Sequence, residues 1–302
     1  MTSEICDATP VGTERQLTDI RDNKVYWVAK LADNHCWMTQ NLDLNLSSSV
    51  ALTSDTTDLN TVSSWTPVRS TINAVTNAST PGSITGWVND FNTPYSVDTG
   101  DYYWRNTPFY DSNLCNKTVG GVNYQGCNYV TKADANWKNY FSTTPYASNG
   151  THGHVGNYYN WSAAVASNDT SAYTADTMAN IANNPPNSIC PKGWRLPTIT
   201  SASPDYTQNG SRDEFSRLAY LYDNYTGNTV SSEGLEKAPL YLSRAGNVNG
   251  GTFYSAGHYE HVWSSSVRSA TSAYDLGFGS GGVGPQLSII RYGGFNVRCL
   301  AR

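Results

Sequence analysis

The stretch "SAYDLGFG" (272–279) places large apolar side chains at every second position, Tyr274, Leu276 and Phe278, with Asp275, Gly277 and Gly279 between them. Successive side chains of a strand point to opposite faces, so this spacing predicts a strand with one face in a core and the other turned outward. Burying a large side chain is worth roughly 1.5–3 kcal/mol, whereas exchange at a surface position usually moves stability by no more than about 0.5 kcal/mol. Identity is therefore constrained on the Tyr274 side and nearly free on the Asp275 side. After this strand come a glycine-rich, loop-like stretch, Gly279 to Gly284, and the assorted run Gln286-Leu287-Ser288-Ile289-Ile290.

Elsewhere the same period recurs. In "KVYWVAKL" Val25, Trp27, Ala29 and Leu31 alternate with Tyr26, Val28 and Lys30; "ADN" turns the chain and "HCWMTQNL" continues it, so 17–42 is expected to be a hairpin. Further strands are expected at 238–243, 260–266, 272–279 and 294–300. Two short helices are expected, 157–166 and 211–222. In the second, Phe215, Leu218, Ala219 and Tyr222 share one helical face, and Ser211 with Glu214 has the spacing of a capping box. Residues 43–150 have little periodicity and many turn formers, and are expected to be long loops with a few short strands or helical turns, not an independent domain. Strand-rich ends around two helices make an α+β chain.

Only 14% of residues are charged and the net charge is −5, with 21 Tyr and 9 Trp. A nucleic-acid binder needs a basic face that this balance does not supply. No apolar run approaches the roughly 20 residues of a membrane span. The start, "MTSEICDATPVG", lacks the apolar segment of a signal peptide, so the protein is either cytoplasmic or starts after a removed export signal. Six cysteines stand at 6, 36, 115, 127, 190 and 299 with no Cys-x-x-Cys pair. An even, widely spread set fits disulfides and an oxidising compartment, outside the cell or at its surface. Among the pairings six cysteines allow, the preferred one is Cys6–Cys36, Cys115–Cys127 and Cys190–Cys299.

Six blocks occur in order: "WMTQNL" (37–42), "NYYNWSAAVA" (157–166), "CPKGWRLPT" (190–198), "VWSSS" (262–266), "AYDLGF" (273–278) and "GGFNVRCL" (293–300). Together they resemble the bacterial major-paralogous-domain family, in the formylglycine-generating-enzyme-like branch of the C-type-lectin fold. The resemblance implies one domain over 1–302 with a C-type-lectin-like core, short antiparallel strands and long ordered loops, and an insertion at about 46–150. The final 45 residues also resemble the variable region of proteins diversified by retroelements, at about 252–292 here. That resemblance implies a ligand-display protein whose replaceable residues would be Tyr259, His261, Val267, Arg268, Asp275, Gly277, Gly279, Ser280, Leu287, Ser288, Ile289, Ile290 and Tyr292. The fixed frame would be Trp194, Trp263, Tyr274, Leu276, Phe278, Arg291, Phe295 and Cys299. The partner implied is a protein or glycan on another cell or virus, bound without catalysis.

Alternation alone also suits any half-exposed sheet, and glycine-rich loops are often plain connectors. Other chemistries fit less well. A formylglycine-generating-type oxidoreductase needs a reactive cysteine pair, and Cys190 and Cys299 sit better as a structural bridge. Calcium-dependent sugar lectins carry Glu-Pro-Asn or Gln-Pro-Asp and Trp-Asn-Asp motifs; "GPQ" (284–286) and "WVND" (87–90) match neither. Asp98, Asp101 and Asp205 could serve a structural calcium ion, but nothing in the sequence brings them together. "HGH" (152–154) and His258/His261 have chelating spacings yet no acidic or thiol partner nearby, so no metal site and no cofactor are expected. Asp213 and Glu214 complement a helix dipole, and Glu233 and Glu236 are read as solvated. No nucleophile elbow, phosphate loop or dinucleotide fingerprint occurs.

Overall fold

A computed structural model describes residues 3–42 except 22, 44, 158–167, 172–178, 180–200, 213–228, 230–236, 239–242, 244–249, 252–255, 259–279 and 281–302, together with the backbone of short strands between 50 and 130. The chain is mixed α+β, with antiparallel sheets and few helices. Helix α1 (Ser3–Asp7) leads into β1 (Glu14–Asp19), β2 (Lys24–Lys30) and β3 (Cys36–Met38). Backbone strands β4 (Val50–Ser54), β5 (Val62–Trp65), β6 (Phe109–Tyr110), β7 (Lys117–Val119), β8 (Val122–Tyr124) and β9 (Tyr129–Val130) follow. Then come α2 (Trp161–Ala164), β10 (Asn187–Ser188), β11 (Trp194–Arg195), α3 (Glu214–Asp223), α4 (Glu233–Glu236), β12 (Asn247–Asn249) and β13 (Thr252–Tyr254). The chain closes with β14 (Tyr259–Val267), β15 (Ser272–Gly279), β16 (Gly282–Ile290) and β17 (Leu300–Ala301).

Two sheets organise the described core. One runs β1-β2-β3-β17-β11, so the last strand of the chain lies between an early strand and β11; the other runs β14-β15-β16. The predicted hairpin forms with Val28 opposite Met38 and Lys30 opposite Cys36, and β1 adds a strand beside it that lacked a clear sequence pattern. Asn23 turns the chain between β1 and β2 at φ 60°, a left-handed conformation that asparagine tolerates better than most residues. Cys6 bonds to Cys36 and Cys190 to Cys299, closing loops of 30 and 109 residues in sequence separation. The second bridge ties the segment before β11 to the segment before β17. The expected Cys115–Cys127 pair lies outside the described residues.

Apolar packing falls into two clusters. One gathers Tyr159, Trp161, Trp194, Trp263, Val267, Ala273, Phe295 and both disulfides around β2 and α2. The other packs Phe215, Leu218 and Ala219 of α3 against Trp37, Val262, Leu276, Phe278 and Val283. The face predicted for the second helix is therefore the one that packs. That helix runs Glu214–Asp223 and is closed by Asn224, which has φ 58°. Ser211 lies outside the described residues, and the Glu214 carboxylate is held by Arg195 at 2.5 Å and Thr198 Oγ1 at 2.8 Å. The first helix shrinks to Trp161–Ala164, capped by Asn160, whose side chain accepts from the Ala163 N–H at 2.8 Å.

Four readings need correction. Residues 239–242 are turn and irregular chain, not strand, and α4 precedes them. Glu236 is buried, not solvated: it accepts from Ser232 Oγ at 2.5 Å and Arg244 Nη2 at 2.8 Å, and burial raises its carboxyl above the ordinary value despite Arg244. The side chain of Glu233 lies outside the described set. Residues 294–299 are isolated bridges followed by irregular chain, with Phe295 bridged to Tyr159 and Asn296 to Val262, and only Leu300–Ala301 is strand. Both alternating sets are buried here. Arg298 points into the interior, where it donates to Asn41 Oδ1 at 2.6 Å and to the Leu240 and Tyr241 carbonyls at 2.6 and 2.9 Å. Finally, the loop-like stretch and assorted run form β16, a nine-residue strand disguised by its glycines and Pro285.

Candidate functional site

The β14-β15-β16 sheet gathers most of the expected display residues. Its pairing sets His261 opposite Gly277, Trp263 opposite Asp275 and Tyr259 opposite Gly279; across the next seam Asp275 faces Leu287 and Gly277 faces Gly284. These residues share one face. Val262, Leu276 and Phe278 occupy the other, against α3, with Tyr274 in the same cluster. Within β15 the two alternating sets fall on opposite faces, but across the sheet the expected frame and display residues mix: Trp263 lies on the Asp275 face and Ser288 opposite Tyr274.

The expected exposure differs. Asp275, Gly277, Gly279, His261 and Val267 are all buried. The physical reason is a second layer, because the Asp275 face is itself covered. Along it runs a ladder of rings: Tyr259 stacks on His261 at 5.5 Å, His261 meets Phe295 at 4.9 Å, and Phe295 meets Trp263 edge-on at 4.6 Å. Asp275 lies beneath, its Oδ2 2.6 Å from His261 Nδ1, while its Oδ1 has no hydrogen-bond partner among the described residues. Burial raises the Asp275 carboxyl above its ordinary value, and the His261 contact opposes this. Val267 sits in the first cluster, its N–H donating to Thr177 Oγ1 at 2.8 Å. Gly279 is held by Ser232, whose hydroxyl donates to its carbonyl at 3.1 Å.

Two glycines are spacers on this face. A β-carbon at Gly277 would stand 2.5 Å from Leu287 Cδ1 and 3.3 Å from the His261 ring; one at Gly284 would stand 2.8 Å from Leu287 Cγ. Leu287 covers both and is 39% exposed, so its tip has room to swing out. A larger residue at 277 therefore demands that Leu287 move.

What remains accessible lies on β16 and at the sheet ends. Arg268, Leu287 and Ser288 are exposed; Tyr259, Ile289, Ile290 and Tyr292 are half-buried; Ser280 and His258 lie outside the described residues. Arg268 is held to Asp176, which also accepts from Tyr274 Oη at 3.0 Å. Desolvation, then that contact, pushes the Tyr274 phenol up to about 12.

The expected frame is buried throughout. Trp263 is fully enclosed and its indole N–H donates to the Tyr159 carbonyl at 2.8 Å. Arg291 lies over Trp161 at 4.3 Å and donates to the Tyr173 carbonyl, and burial lowers its guanidinium to about 10. Gln286, which was not singled out from the sequence, ties β16 to the start of α3 by donating to Asp213 Oδ2 at 2.7 Å. Pro285 beside it hid the strand, so no periodic signal marked the position.

Among the described residues, no three His, Cys, Asp or Glu side chains converge to hold a metal ion. Asp98, Asp101, Asp205 and 152–154 lie outside the described residues. Among the described residues no helix is long and apolar enough to cross a membrane. A cavity of about 280 Å³ opens beside β1 and β2, lined by Leu17, Tyr26, Val28, Met38, Lys192 and Trp194, and it includes none of the expected display residues. No family model, no curated protein and no solved structure matches this chain.

Proposed function

We propose that this protein is a non-covalent ligand-display domain of C-type-lectin-like kind, with contact residues on the carboxy-terminal sheet that a retroelement diversifies. One observation carries the reading. On β16, Leu287 and Ser288 are exposed and Ile289 and Ile290 half-exposed, while the strand beside it, from Ala273 to Gly279, is buried. A buried strand thus carries a partly exposed rim, in which Ser288 can be exchanged at little cost and Ile289 also packs against the first apolar cluster. Exposed apolar groups beside a polar one suit recognition of a macromolecule, a protein or glycan on another cell or virus. A rigid support keeps the ordering cost of association low.

The replaceable set is narrower than the sequence implies: Tyr259, Leu287, Ser288, Ile289, Ile290 and Tyr292, with Gly277 only where Leu287 gives way. His261, Val267, Asp275 and Gly279 belong with the frame. The bond between Cys190 and Cys299 leaves neither as a thiol, which supports a structural use over oxidoreductase chemistry. Disulfides also favour an extracellular or cell-surface setting.

The test is a library randomised at those six positions, sorted for folding and then panned on protein and glycan arrays. Most members should melt close to the parent and different members should capture different array ligands. A library that mostly fails to fold would overturn the reading. The retroelement itself predicts a near-copy of the 3′ end of the gene, differing mainly at adenines, beside a reverse transcriptase; a sequenced locus without one removes that part.

A further inference from the structure

The open edge of β16 has its own chemistry. In an antiparallel ladder, directly opposed residues alternate between pairs that exchange hydrogen bonds and pairs that do not. The register sets Ser272 opposite Ile290 and Tyr274 opposite Ser288, and the Arg291 N–H donates to the Thr271 carbonyl at 3.0 Å. That bond fixes the phase: residues 287, 289 and 291 bond to β15, and Ser288 and Ile290 turn their backbone groups away from it. The Ile290 carbonyl is taken by the Gly293 N–H at 3.1 Å. The N–H and C=O of Ser288 and the N–H of Ile290 remain, with no partner among the described residues and with Ser288 exposed.

This opening is bounded. Toward Gly282 the edge closes, because the Val283 N–H donates to the Val230 carbonyl at 3.1 Å and Pro285 has no N–H to offer. The register shift between Asp275 and Gly277 adds a bulge there. Toward Arg291 the chain turns. Four residues, Leu287 to Ile290, span about 14 Å at the usual strand rise. Open edges are normally guarded by charge, proline or a bulge. Here the guards stand beside the opening and none stands in it, since Leu287-Ser288-Ile289-Ile290 carries no charge.

We propose that this edge takes an extended segment of a protein ligand as a fourth strand, a deepening that rests on the display reading. The segment would exchange backbone hydrogen bonds with Ser288 and accept one from the Ile290 N–H. Its side chains would fall alternately beside Leu287 and Ile289 on one face and beside Ser288 and Ile290 on the other, which favours an apolar residue on the first. A second copy of this chain is the poorer occupant. Two folded copies would have to bring two short edges together past the Val230 and Gly293 flanks, whereas an extended segment carries no such flanks of its own. The outward amides, without a partner among the described residues, rather than the side chains, make the occupant a strand and not a glycan.

The experiment pans a linear random-peptide library on the full chain and measures the recovered peptides against variants. Ser288→Pro removes the outward N–H, and Ser288→Ala keeps it. The expected result is a loss of about tenfold in affinity for Ser288→Pro and little change for Ser288→Ala. On the unaltered protein, N-methylation along the peptide should weaken binding at every second residue, a measurement that needs no variant to fold. Equal effects of proline and alanine, or an N-methyl scan without period two, would overturn the added strand. If Leu287→Ala still weakens those peptides, the display face survives and only the strand pairing falls. If neither Leu287→Ala nor Ser288→Pro matters, both fall. Binders recovered only from a glycan array, or dimerisation abolished by Ser288→Pro, would likewise overturn the peptide as occupant.

Discussion

The two main sheets are held together in different ways. The β1-β2-β3-β17-β11 sheet is covalently stapled: Cys6–Cys36 fastens its third strand, and Cys190–Cys299 fastens the approaches to β11 and β17. The β14-β15-β16 sheet contains no cysteine. Its cohesion comes from burial on both faces and from polar ties, such as Ser264 Oγ to the Tyr274 carbonyl at 2.7 Å and Gln286 to Asp213. A sheet anchored along β14 and β15 can leave β16 loosely specified. The stapled sheet instead threads the last strand of the chain between β3 and β11, so a change in one strand reaches distant parts of the sequence.

That contrast can be broken. Replacing Cys190 and Cys299 by serine should cost about 4–5 kcal/mol, because the closed loop is long, and denaturant unfolding would show it. The Cys6–Cys36 pair closes a shorter loop and should cost less. In the unstapled sheet the largest expected loss is Trp263→Ala, about 3–5 kcal/mol, from the cavity left in a fully buried site. A loss near zero would mean that this sheet does not depend on its frame.

Asp275 sharpens the comparison through pH. Because burial raises its carboxyl, the folded chain binds that proton more tightly than the unfolded chain. Its contribution to stability is therefore present at acid pH and lost as pH rises from the ordinary carboxylate range through the raised value. Asp275→Asn should flatten that part of the melting-temperature profile and cost little near neutrality. A steeper profile would contradict the burial. Smallest of all, Ser288→Thr should change stability by about 0.5 kcal/mol or less, read by thermal melts.

The pattern Tyr274-Leu276-Phe278 was legible because a period of two survives whatever packs on either side. The face of α3 was legible for the same reason, with Phe215, Leu218 and Ala219 meeting the sheet. Spacing cannot say whether the opposite face of a strand is wet. Asp275 and Gly277 looked outward-facing, and they are buried because Phe295 and Leu287 arrive from distant points in the chain or across a seam. Arg298 was equally illegible: its alternation suggested a half-exposed strand, yet its guanidinium completes an interior network with Asn41 and the Leu240 and Tyr241 carbonyls. Gln286 and Pro285 concealed β16, since proline and glycine lower strand propensity while pairing with β15 overrides it.

By itself the sequence determined that Tyr274, Leu276 and Phe278 and the Phe215, Leu218 and Ala219 face of α3 lie inside: local periodicity and side-chain size favour their burial without reference to partners. Only the tertiary structure decided which of the remaining residues meet solvent. That depends on what a second layer covers, and the covering groups come from segments that no local pattern links to the strand beneath them.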